Sequence, residues 1–89
     1  MAELRTSEVK NAVIKTVQHR IEEINRELVE IVKNLEYFER KHGLKTAKFY
    51  EKFLKGKLED DMDFFEWKAS KEIYDELRKQ KDLLLKAIK

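Results

Sequence analysis

The chain has 89 residues, with Lys+Arg 20 against Asp+Glu 18, no Cys, no Pro and two Gly. That is the size of one domain with a marginal private core, and without thiols it has neither a disulfide framework nor a thiolate metal site. No apolar run approaches the ~18 residues a membrane span needs, and Met1-Ala2-Glu3-Leu4-Arg5 carries charge where a secretory signal has its apolar stretch, so a cytoplasmic protein is expected.

The first element is the plainest. Ile14, Val17, Ile21, Ile24, Leu28, Ile31, Leu35 and Phe38 follow one another at alternating steps of three and four. This is a heptad seam with both a and d apolar, and it predicts a helix over 8–42. Thr6 or Ser7 is the expected N-cap and Gly43 the left-handed stop. About 35 residues make a rod of roughly 50 Å. Such a rod is not stable alone. Val9, Val13, Val29 and Val32 widen the stripe, and Ile at the d positions 24 and 31 disfavours a parallel two-stranded coil. Both features favour a bundle, with His19, Arg26, Lys33 and Arg40 on its outer face.

A short helix is expected over 46–55, capped by Thr46. Phe49, Tyr50, Phe53 and Leu54 form its apolar face, Leu44 packs back on that face, and Gly56 ends it. Lys45, Lys48, Lys52, Lys55 and Lys57 take the other side. A second long helix is expected over 63–88. Asp63 and Glu66 read as its capping box, and Ile73, Leu77, Leu84 and Ile88 as its line, with Ala69, Tyr74 and Ala87 beside them. Trp67 extends this face towards the helix start. About 25 residues span roughly 38 Å, enough to run back along most of the first helix. The expected fold is all-α: long helix, short helix, long helix, an antiparallel hairpin assembling into a dimeric bundle. Two helices and a short lid bury too little for a comfortable monomer, so a homodimer is expected. Scarce Asn and Gln with abundant Lys and Glu also suit a thermophile.

The chemistry-bearing residues are few. His19 has Glu22 and Glu23 nearby but no second His or Cys at ligand spacing. His42 sits in the last turn of its helix, a favourable position beside the negative end. The acids Glu59, Asp60, Asp61, Asp63 and Glu66 lack the alternating spacing and central Gly of a calcium loop. Neither a metal, a cofactor nor a catalytic residue is expected.

Charge is segregated in the middle of the chain. Residues 43–58 carry five Lys and one Glu, and residues 59–66 carry five acids and no base. The lysines could hold phosphates while Phe49, Tyr50 and Phe53 stack on bases. The simpler reading turns those rings inward, and the acids that follow repel a phosphate backbone. Phe64, Phe65 and Trp67 are read as core residues, with exposed anchors for a partner as the alternative.

Two resemblances follow. Ile21 to Val32 (IEEINRELVEIV) resembles the first-helix pattern of the small all-helical chorismate mutases, which are three-helix dimers. That family places arginines before and after this stretch to hold the substrate carboxylates. The matching positions here are Gln18 and Leu35, so this enzyme reading is disfavoured. The segment from Phe38 to Phe53, followed by Lys55 to Trp67, is similar to small, largely uncharacterised helical proteins of archaea and cyanobacteria, some of them antitoxin-like. Lys45-Thr46-Ala47-Lys48 departs from the more acidic cap of that group. The resemblance implies a non-enzymatic, antitoxin-like interaction module, and the local charge beside three large rings points to Glu59, Asp60, Asp61, Phe64, Phe65 and Trp67 as the residues that would mask a small basic toxin-like partner. A nucleic-acid-binding module using the five lysines is the alternative.

Overall fold

The computed structural model describes residues 5–89, so the charged opening at residues 1–4 lies outside the described residues. Three helices follow in order: α1 (Thr6–His42), α2 (Thr46–Leu54) and α3 (Met62–Ala87), and the described residues contain no strand. α1 and α3 pack along each other in antiparallel fashion. Phe38 stacks with Trp67 near one end, and Arg20 reaches Gln80 further down.

The helix ends depart from expectation by one or two residues. α1 starts from Arg5, which makes no side-chain cap, so Thr6 is helical and neither it nor Ser7 is the N-cap. At the other end Gly43 has φ +62°, and its N–H closes on the Glu39 carbonyl. Only glycine takes this left-handed geometry without a Cβ penalty. α2 likewise begins at Thr46 behind Lys45. In α3 the cap is Asp61, whose carboxylate accepts from the Asp63 backbone N–H at 2.9 Å, so the expected Asp63–Glu66 capping box does not form. Asp61 caps because the chain is already helical at Met62. Asp63 then falls in the first turn, where its charge suits the helix dipole.

The rod measures 65 × 22 × 22 Å with a radius of gyration of 18.7 Å, against about 12 Å for a compact chain of this length. It exposes 7049 Å², where a compact chain of its mass exposes about 5,500 Å². The surplus follows from the layout. At the closed end, the head, α2 lies against both long helices and Phe38, Phe49 and Trp67 form a core cluster. Leu35, Leu44, Tyr50, Phe53, Leu58 and Phe64 pack on it. Below the head the shaft has only α1 and α3. There the buried residues are Ile24, Leu77 and Ser70.

The buried line of α3 is Trp67, Ser70 and Leu77, with Tyr74, Leu84 and Ile88 half-buried. Ile73, expected in this line, is 47% exposed. Trp67, docked under α2, sets the rotation of the helix. Steps of three and four from Trp67 reach 70, 74, 77, 84 and 88, which leaves 73 on the flank.

Candidate functional site

The head is locked by polar bonds as well as by rings. Phe49 and Trp67 stack face to face with centroids 3.9 Å apart, and Phe38 lies 5.8 Å from Trp67. The indole N–H of Trp67 donates to Thr46 Oγ1 at 3.0 Å, and the Thr46 backbone N–H donates to Glu39 Oε2 at 2.8 Å. Thr46 therefore ties all three helices together, a role sequence spacing does not reveal. The bond from the Thr46 N–H holds the Glu39 carboxyl below its usual pKa.

A second clasp closes the turn side. His42 Nε2 lies 3.0 Å from Asp63 Oδ2, and Lys41 Nζ lies 2.5 Å from the same oxygen. An ionised carboxylate only accepts, so Nε2 carries the shared proton. These bonds, Lys41 first and His42 second, lower the Asp63 pKa, and the bond to Asp63 raises that of Lys41. The His42 ring lies against both Phe64 and Trp67, with centroids 5.1 and 5.6 Å away. On the α2 side, Tyr50 OH donates to Glu72 at 2.8 Å. Bonds from Lys68 and then Tyr50 lower the Glu72 pKa, while the bond to Glu72 raises that of Tyr50.

The expected partner segment divides between core and surface. Trp67 is fully buried within a single chain and Phe64 is half-buried, so of the three rings read as core these two pack inward and Phe65 does not. Phe65 is 53% exposed and Met62 74% exposed. Glu59, Asp60 and Asp61 are exposed beside them, while Asp63 is engaged with Lys41 and His42. Leu54 is exposed as well, and the Phe65 ring meets Phe53 edge-on at 5.8 Å. The head thus exposes Leu54, Met62 and Phe65, with the exposed carboxylates of Glu59, Asp60 and Asp61 directly ahead of Met62 in the chain.

Lys45, Lys48, Lys52, Lys55 and Lys57 are all exposed, and Lys55 pairs with Glu51 at 2.9 Å. The rings beside them turn inward: Phe49 is buried and Tyr50 and Phe53 are half-buried. No group of three His, Cys, Asp or Glu among the described residues could hold a metal ion. His19 is an exposed residue 3.6 Å from Glu23. Gln18 is exposed, and Leu35 packs on the head cluster. Every buried side-chain nitrogen and oxygen among the described residues has a hydrogen-bond partner.

The heptad seam is only partly covered. Ile24 and Phe38 are buried, but Ile14, Val17, Ile21, Leu28, Ile31 and Leu35 are half-buried. Val9, Val13 and Val29 stand exposed on α1, and Ile73, Leu83 and Leu85 on α3. No described helix is long and apolar enough to cross a membrane. No protein-family model matches the chain, and neither a curated protein nor a solved structure matches it.

Proposed function

We propose that this chain is a non-enzymatic helical assembly module, most simply a homodimer, in which a second copy covers the shaft. One observation carries the reading: six of the eight seam residues remain partly exposed although α3 already lies along α1. Two helices form one contact line and leave both flanks wet. Removing such side chains from water yields about 25 cal/mol per Å² of apolar surface. The surplus over a compact chain, about 1,500 Å², falls within the roughly 1,000–2,500 Å² each partner contributes to an obligate dimer interface. Sedimentation equilibrium between about 1 and 100 µM tests this. Micromolar-range persistence of a dimer, with a melting midpoint that rises with concentration, is expected. A cooperatively folded monomer throughout would overturn it.

A second reading has its own support in the exposed Leu54, Met62 and Phe65 beside Glu59, Asp60 and Asp61. In it the module also masks a small basic protein, in the manner of an antitoxin. Carboxylates occupy the places of phosphates and Phe65 supplies the anchoring ring. Asp60→Asn with Asp61→Asn should weaken capture of a basic protein encoded beside this chain, and unchanged capture removes the electrostatic basis. Steeply salt-dependent retention of RNA or DNA would instead favour the five lysines.

A further inference from the structure

Charge is unevenly spread along the rod. In the shaft below the head, residues 21–37 and 68–77 hold four Lys and Arg against eight acids. There Lys33, Lys68 and Lys71 are each paired, with Glu30, Glu72 and Asp75. At the open end, residues 5–20 and 78–89 hold nine Lys and Arg against two acids, Glu8 and Asp82. The bond from Arg20 to Gln80 brings these two segments to one level. Among the described residues only Arg20 of those nine forms an ion pair, and its partners Glu23 and Glu27 belong to the acidic stretch. Lys10, Lys15, Arg78, Lys79, Lys86 and Lys89 are exposed. The hairpin therefore ends in a basic pole on an acidic shaft.

α1 also outruns α3 at this end. α3 stops at Ala87, which in an antiparallel pair with Arg20 beside Gln80 is the level of about residue 13 of α1. Burial marks the same point: every residue from Arg5 to Val13 is exposed, and Ile14 is the first that is not. The heptad steps run back from Ile14 to Lys10 and Ser7, so the apolar seam stops where its cover stops. What projects is a bare tip of about two turns, roughly 10 Å long, carrying Arg5, Thr6, Ser7, Lys10 and Asn11. Side chains of these types donate to phosphates and to base edges.

We infer that this pole is a docking surface for duplex DNA, with the tip of α1 in the major groove and Lys86 and Lys89 on the flanking phosphates. A lone helix of about 10–12 Å diameter matches a groove about 12 Å wide and 8.5 Å deep, whereas the major groove of duplex RNA is too narrow to be read. Residues 5–20 and 78–89 contain no Phe, Tyr or Trp. No ring is there to stack on unpaired bases, as single-strand binding requires, or to lodge at a membrane interface. At about 100° per residue, Leu83 and Leu85 fall on opposite flanks of α3 with Lys79 and Lys86 between them, which leaves no apolar face to lie in a lipid surface. The shaft's excess of acids repels phosphates and confines the contact to the end. The pole is distinct from the seam that a second copy would cover, and from the α2 lysines, whose run leads directly into Glu59, Asp60 and Asp61.

Fluorescence anisotropy of a DNA duplex of about 20 base pairs, in about 0.1 M salt, tests the assignment. The association constant should fall with salt at a log–log slope of about −3 to −4, as for about four phosphate contacts. Lys10→Glu with Lys86→Glu should weaken binding at least about 10-fold and flatten that slope by about 2. Lys48→Glu with Lys52→Glu makes the same charge change on α2, about 40 Å away and beyond the ~10 Å screening length, and should weaken it less than about 3-fold. Far-UV circular dichroism checks that both variants remain helical. Equal loss in the two variants, or loss confined to the α2 variant, overturns the pole as the site. Equal affinity for duplex RNA or for a single strand overturns the groove docking. A wild type that binds phosphatidylserine vesicles and not DNA, or neither, overturns the inference outright.

Discussion

Phe38 and Ile24 belong to the same seam of the same helix, about 21 Å apart along its axis, yet they live in different surroundings. Phe38 meets rings from its own helix and from α3, in a cluster that includes α2, with the Thr46 and Asp63 bonds close by. Ile24 is buried too, but its neighbours along the seam, Ile21, Leu28 and Ile31, are partly exposed. The difference is one layer. Three helices can surround a side chain, whereas two can only cover it from one direction. The head is a three-helix core, and the shaft is a two-helix layer whose seam stays partly exposed.

The sharpest way to break that contrast is to remove a ring from the head. Phe49→Ala deletes a fully buried side chain that stacks on Trp67, and should destabilise by about 3–5 kcal/mol. Trp67 is the only tryptophan, so its emission should shift to the red as α2 loosens. An unchanged emission maximum would mean that the head is not closed by this stack.

The matching test in the shaft is Ile31→Ala. A residue half-exposed in one chain should lose only about 1 kcal/mol, since part of its transfer energy is never realised. Covered by a second copy, it should lose about 2–4 kcal/mol, with a midpoint that depends on protein concentration. Denaturant titrations at two concentrations separate the two cases.

The head also depends on a bond invisible in the sequence. Thr46→Val keeps the shape but leaves the Trp67 indole N–H buried without an acceptor, at about 1–3 kcal/mol. Thr46→Ser, which retains the hydroxyl, should recover most of that loss in the same titration.

What was legible beforehand follows the same division. The seam from Ile14 to Phe38 sets α1 through periodicity alone, and Gly43 and Gly56 mark the breaks, each at positive φ in the structure. Periodicity says which residues share a face but not how far that face is turned. Ile73 therefore reads as core, while Ser70, buried in register with Trp67, is not picked out and Tyr74 is placed only beside the line. The caps went astray for a related reason. Thr46 and Asp63 have the chemistry of N-caps, but in the fold each serves a long-range partner, Trp67 for one and Lys41 with His42 for the other. The acidic run was legible as charge, but only the fold divides Asp63 from the exposed Glu59, Asp60 and Asp61.

Gly43→Ala probes the turn between shaft and head. No atom lies within 4 Å of where the new Cβ would stand, so the loss is backbone strain alone, about 1–2 kcal/mol. Melting curves should move as one transition, because the turn belongs to both regions.

The smallest effect is a slope. Asp63, Glu39 and Glu72 all have carboxyl pKa values lowered by hydrogen bonds to the charged form, and all three bind around the head. In the unfolded chain these groups titrate near ~4. Their folded values lie lower, so the unfolded state binds more protons over that interval, and stability rises with pH there. The contribution is fully present above the unfolded value and is lost as pH falls through the folded ones. Acid should therefore loosen the head while leaving the apolar shaft contacts unchanged, because the seam residues do not titrate. Asp63→Asn removes the acceptor charge shared by Lys41 and His42, and should flatten the acid limb of a stability–pH profile. An acid limb equally steep in this variant would assign the pH dependence to Glu39 and Glu72. One that appeared in dimer dissociation, and not in the Trp67 signal, would move the acid-sensitive contacts from the head to the shaft.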